Sequence, residues 1–167
     1  MAKLRFAEGL KVYPVIAPVA GTTSAVASVY IDAADYNWLT WLVQTGVTTS
    51  ESTDTLTITV ECSTAASSNA TEVAIPFFHR VNGPVGTDAI GAITSDSTAG
   101  LELAADLAAD AMAVLISVNP DTIQAELTDG RYLRLVVTPS SAVGAFVVSA
   151  CFLGEPKYQM NSIPSST

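Results

Sequence analysis

Charge is scarce in this chain. Charged residues fill 14% of its 167 positions, where an average soluble domain carries about 25%. Histidine occurs once, at His79, and cysteine twice, at Cys62 and Cys151. A lone imidazole and two distant thiols cannot assemble a zinc site of usual spacing. No Gly-x-Ser-x-Gly elbow accompanies His79, and its apolar neighbours suit a hydrogen-bonded edge histidine better than a catalytic one. Phosphate-cradling glycine loops are missing too, since Gly83-Pro84-Val85-Gly86 and Gly91 match no dinucleotide fingerprint. Asp32 with Asp35, and Asp106 with Asp110, lack the density of oxygen ligands that calcium needs. No catalytic residue, cofactor or metal is therefore expected.

Basic residues are also few. Seven Lys and Arg stand against sixteen Asp and Glu, for a net charge of -9 and a pI near 4.2. Such a surface repels phosphate backbones and anionic bilayers, so neither nucleic acid nor membrane is an expected partner. No apolar run approaches the ~18–20 residues of a membrane span. Glu8, Gly9, Lys11 and Pro14 interrupt any hydrophobic stretch near the start, so no secretory signal is read there. A chain without one folds where thiols stay reduced, so Cys62 and Cys151 are expected as buried free thiols, with a disulfide between them as the alternative.

What the chain does have is apolar material, 49% of its residues, arranged with a period of two. Residues 54–62 (DTLTITVEC) place Leu56, Ile58, Val60 and Cys62 on one face and Thr55, Thr57, Thr59 and Glu61 on the other. That is a half-buried strand with a threonine-rich outer face. Residues 25–31, 38–43, 111–118, 131–138 and 143–153 also read as strands. Residues 73–81 do so with Pro76 marking an edge, a bulge or a strand start. The segment 101–109 is rich in helix formers and is expected as a helical turn or loop. Asn119-Pro120-Asp121 makes a turn, followed by a short helical turn at 121–124. Seven or eight strands with little helix predict an all-β fold, a β-sandwich or jelly-roll-like single domain over 25–154.

Both ends differ from this body. Residues 1–24 carry Lys3, Arg5 and Lys11 together with Phe6, Leu10, Val12, Tyr13, Val15 and Ile16. Pro14 and Pro18 block helix and favour extended backbone. This predicts an extended N-terminal arm, whose apolar residues gain most by lying along a neighbouring chain; a strap folded onto its own domain is the alternative. Lys3, Arg5, Phe6, Leu10, Lys11, Val12, Tyr13, Val15 and Ile16 are its candidate contact residues. Residues 155–167 lack periodicity and read as a C-terminal tail.

The order of elements resembles that of the decoration, or capsid cement, proteins of tailed-bacteriophage heads. Val29-Tyr30-Ile31-Asp32-Ala33-Ala34-Asp35-Tyr36 followed by Trp38–Gly46 is similar to their opening strand, acidic-tyrosine turn and hydrophobic strand. The alternating DTLTITVECSTAAS comes next, and VLISVNPDTI and DGRYLRLVVTPSSAVGAFVVSACFLGEPKY look like their closing strands. The resemblance spans residues 25–158 and contains no catalytic motif. It implies a non-enzymatic protein that binds the outer surface of an assembled head inside the bacterial cytoplasm. Its implied partners are the major capsid protein and two further copies of itself, in a trimer at local three-fold positions. The arm would then contact the capsid shell or an adjacent copy.

Two other readings stay open. A tail-tube, tail-terminator or head–tail joining protein would also be β-rich but would form rings. A carbohydrate-binding β-sandwich could use Tyr36, Trp38 and Trp41 as a sugar platform. Odd spacing, however, sends Trp38 and Trp41 to opposite faces of a strand, so one of them belongs to the core.

Overall fold

Period-two segments become strands that leave one face dry. The computed structural model describes residues 10–20, 24–45, 55–67, 71–83, 90–103, 112–140 and 147–157. Twelve strands run through them: β1 (Lys11–Ala20), β2 (Val26–Ala27), β3 (Ile31–Asp32), β4 (Tyr36–Thr45), β5 (Leu56–Ser63) and β6 (Glu72–Ile75), then β7 (Phe77–Asn82), β8 (Thr94–Asp96), β9 (Leu101–Leu103), β10 (Met112–Val118), β11 (Tyr132–Pro139) and β12 (Val147–Pro156). They form two antiparallel sheets. The front sheet has the order β1-β12-β4-β10-β7-β8. The back sheet has the order β2-β11-β5-β6, with β3 also on β11 and β9 also on β5.

The pairing is nested. From the ends inward, β1 pairs with β12, β2 and β3 with β11, β4 with β10, β5 with β9, and β7 with β8. This is one long antiparallel ribbon rolled up on itself, the topology of a jelly roll. Rolling brings further strands edge to edge, joining β12 to β4, β11 to β5 and β10 to β7. The predicted all-β sandwich is therefore the fold.

One core fills the space between the sheets. Leu39, Trp41, Val43, Val114, Ile116 and Phe152 reach in from the front, and Ile58, Val60, Cys62, Leu133, Leu135 and Val137 from the back. Each is fully buried, and burying a large aliphatic side chain is worth about 1.5–3 kcal/mol. The predicted alternation in 54–62 holds: Leu56, Ile58, Val60 and Cys62 are buried while Thr57, Thr59 and Glu61 are half-exposed. Phe152 anchors one end of the core, with the rings of Tyr13, Tyr36 and Trp41 at 5.2, 5.0 and 5.6 Å. The last two meet it edge to face, the favoured arrangement for aromatic quadrupoles.

Several expectations are corrected. Residues 11–20 are extended, as the prolines require, but they form the edge strand β1 of the front sheet and do not reach away to a neighbour. This is the alternative of a strap folded onto its own domain, and Val15 and Ile16 enter that domain's core at 8% and 5% exposed. Pro14 and Pro18 are tolerated because an edge strand has one side free of ladder bonds, and register shifts flank Ile16. Residues 101–103 are strand β9 paired with Leu56–Ile58, not a helical turn. Gly100, at φ +89°, turns the chain so closely past β5 that an added Cβ would lie 2.6 Å from the Ile58 carbonyl oxygen. Backbone pairing there overrides helix propensity. The rest of that segment, 104–109, lies outside the described residues.

Other differences are smaller. Residues 25–31 split into the two short strands β2 and β3. Pro76 separates β6 in the back sheet from β7 in the front sheet, so it is the corner where one strand-like run changes sheets. The last strand continues through Pro156, two positions into the expected tail. The short helical turn after Asn119 is present as Pro120–Thr122 and Ile123–Glu126.

Candidate interaction surface

The two outer faces of the sandwich differ in kind. On the back sheet, strand alternation exposes Asp32, Glu61, Glu72, Glu102, Arg134 and a set of threonines. Arg134 sits at the centre of these charges. Its Nε donates to Glu61 Oε2 at 2.8 Å, its Nη2 to Glu72, and its guanidinium stacks 5.3 Å above the Tyr30 ring. Tyr30 Oη in turn donates to Glu72. Nearby, Arg131 Nε donates to both carboxylate oxygens of Asp32, at 2.8 and 3.0 Å. This is an ordinary solvated face on which Asp32, Glu61 and Glu72 pair with the two arginines.

The front sheet presents something else. Its register fixes rows of outward side chains running across the strands. One row reads Arg80, Leu115, Leu42, Cys151 and Pro14 along β7, β10, β4, β12 and β1. The next reads Phe78, Ser117, Thr40, Leu153 and Val12. Beyond it, Trp38 lies opposite Glu155. Arg80 and Glu155 are the two charged side chains on this face among the described residues, and neither forms an ion pair with a described residue.

Several of the exposed large apolar side chains stand here, though Val29 and Ile90 are exposed elsewhere. Val12 is 49% exposed, Phe78 43%, Trp38 38% and Ile93 65%. Trp38, Phe78, Arg80, Ile93, Leu115 and Ser117 line a shallow depression of about 470 Å³. The two hydroxyls at the middle of the face satisfy each other, Thr40 Oγ1 lying 3.1 Å from Ser117 Oγ. The row on the other side of Arg80 is polar, with Asn82, Gln44 and Ser149 around Ala113, so it is the part of the face from Trp38 to the Leu42 row that loses little when water leaves it.

The candidate contact residues fall in three places. Lys3, Arg5 and Phe6 lie outside the described residues. Leu10 and Tyr13 are half-buried, while Val15 and Ile16 belong to the core. Lys11 and Val12 are exposed; Lys11 Nζ sits over the rings of Tyr13 and Tyr36 at 5.3 and 5.9 Å. Of the six that are described, Val12 is the one that the β1–β12 register places on the apolar outer face. Phe78, Leu115 and Leu153 escaped the sequence reading, and Trp38 entered it as part of a sugar platform. In β4 and β12 both alternating sets of residues are largely apolar, so no pattern marks which set faces out.

His79 is paired with Asp96 across β7 and β8, at the edge of the front sheet's inner side. Both side chains are mostly covered, at 12% and 18% exposure. Among the described residues no group of three or more His, Cys, Asp or Glu is placed to hold a metal ion. No described helix is long and apolar enough to cross a membrane.

No family model matches this chain, and no curated protein does. Among solved structures it is similar to a chain from "Structure of infectious bursal disease virus Gt strain", with a TM-score of 0.22 and 10% identity. That match spans 91% of this chain and 42% of the other. A likeness of this size carries no argument about function.

Proposed function

We propose that this chain is a structural, non-enzymatic protein of a tailed-bacteriophage head. It decorates the outer surface of the assembled shell, binds the major capsid protein and stabilises the particle as a homo-oligomer. The observation that carries the reading is the contrast between the two outer faces of one sandwich. The front face is apolar and almost uncharged, as a surface to be covered is; the back face carries paired charges suited to water. Repeated by symmetry over a shell, modest contacts of this kind add up to a large cost of separation. Jelly rolls occur among capsid and lectin domains alike, so the face and not the fold supports the assignment.

The test is cosedimentation of the purified protein with expanded heads built from the capsid protein encoded alongside it. Saturable binding to intact heads, with a raised temperature of head rupture, is the expected result. Absence of binding at protein concentrations of about 10 μM would sink the reading.

One observation favours a second reading. The depression between Trp38 and Phe78 sets two aromatic rings beside the Arg80 guanidinium, an arrangement that could stack a sugar ring and donate to its hydroxyls. A panel of immobilised glycans separates the two: binding there that is lost in Trp38→Ala, without binding to heads, identifies a carbohydrate-binding module.

A further inference from the structure

We propose that the outer face of the front sheet is covered by the same face of a second copy, about a twofold axis lying in the plane of contact. The inference rests on reading this face as a contact surface, and it names what covers it in solution.

Charge placement carries the argument. Arg80 and Glu155 stand at opposite corners of the face. Arg80 is on β7 and Glu155 on β12, with β10 and β4 between them. Three strand spacings separate them across the sheet, about 14 Å, and two outward rows along it, about 13 Å. Any face that pairs with itself about a twofold axis must meet residue i with residue j and j with i. An in-plane axis bisecting the Arg80–Glu155 line does this, setting Arg80 against the partner's Glu155 and Glu155 against the partner's Arg80. Because the two separations are nearly equal, the axis runs diagonally and the strands of the two copies cross at about 90°. That is the orthogonal class of sheet packing. The same operation carries Phe78 onto the partner's Trp38, so the most exposed aromatic side chains of the face meet in pairs.

Size and edges agree with this occupant. The outward positions of these strands, four on β4 and β12 and three or fewer on each of the others, cover ~550 Å² per copy, or ~1,100 Å² for the pair, just above the ~1,000 Å² expected of a biological interface. Sheet extension through β1 is discouraged by Pro14 and Pro18 in the free edge strand. The central hydroxyls of Thr40 and Ser117 bond to each other, and the polar side chains of Asn82, Gln44 and Ser149 lie together in the row at the margin of the face.

The measurement is the mass of the full-length protein by sedimentation equilibrium across a concentration series. The expected species is a dimer of twice 17.3 kDa. Each reversal alone, Arg80→Glu or Glu155→Arg, places like charges at two symmetry-related contacts and should weaken the dimer about ten- to a hundred-fold. The double variant R80E/E155R should return it to within about three-fold of the parent. Unchanged far-UV circular dichroism and melting in all three variants would show that folding is not what moved.

A monomer at about 50 μM overturns the pairing. So does a trimer, the state implied by resemblance to decoration proteins. A dimer indifferent to both single reversals overturns it equally. Head binding is scored separately with the double variant. An intact, charge-dependent dimer that ignores heads would remove the decoration role and leave the pairing standing. Head binding by a monomer would do the reverse.

Discussion

Trp38 and Trp41, three positions apart in β4, stand on opposite faces of the front sheet: Trp41 has no exposed surface, and Trp38 keeps 38% of its own. The two indoles therefore do different work. Trp41 fills the core edge to face with Phe152, and Trp41→Ala should cost about 3–5 kcal/mol of unfolding free energy. Trp38→Ser removes an exposed ring and should change monomer stability by about 0.5 kcal/mol or less. Urea titrations at low protein concentration measure both. Equal costs would mean that the indoles do not divide between core and surface.

The two thiols should also separate. Cys62 is fully buried in β5, and burial pushes its pKa up to about 11. Cys151 is free, half-buried and on the outer face of β12. At pH 8, and at protein concentrations low enough to hold the monomer, the native protein should release one equivalent with a thiol reagent, from Cys151. Cys62 should react about 100-fold more slowly until denaturant is added. Two fast equivalents in the native state would contradict this burial.

Asp32 links folding to acid. Hydrogen bonds from Arg131 hold its carboxyl below the usual carboxylate range, assisted by the Ala34 N–H at 3.0 Å. A carboxylate whose folded pKa is depressed contributes stability that is complete above its unfolded value, near ~3.9. That contribution drains as pH falls through the lower folded value. Asp32→Asn should therefore lower stability slightly at pH 7 and flatten the acid limb below pH ~4. Urea midpoints measured from pH 6 to 2 test the sign; parallel profiles for the two proteins would refute it.

Gly154 leaves room where β12 passes the aromatic cluster. A Cβ added there would lie 2.5 Å from the Phe152 ring and would also collide with Tyr36. Both rings are packed in the core, so neither can retreat freely. Gly154→Ala should destabilise by about 1–3 kcal/mol through overpacking, seen as a lowered melting temperature. An unchanged melt would show that the cluster has slack.

How much of this was legible in the residues depends on where each strand sits. In β5, threonine alternates with Leu, Ile and Val, so one face announces itself as core. In β4 the run WLTWLV is apolar at both parities. Its inner set, Leu39, Trp41 and Val43, is buried, and its outer set, Trp38, Thr40 and Leu42, is not. No local signal distinguishes them, because what decides is the sheet on the other side. Residues 11–20 follow the alternative of a strap along their own domain for a related reason. Prolines and apolar residues specify extended backbone that needs cover, but not whose surface supplies it.

Composition and period alone determined that this chain folds as an all-β sandwich with few charged residues. Alternating side chains point to opposite sides of a strand whatever that strand pairs with. Tertiary structure decided the rest: which ends meet, which face stays apolar, and that Arg80 and Glu155 share it. Those are relations between residues far apart in the chain, such as Lys11 beside Gly154 and Leu42 beside Cys151. Closing such long loops gains nothing locally. The ribbon rolls into this register because only then do both sheets bury their inner faces at once.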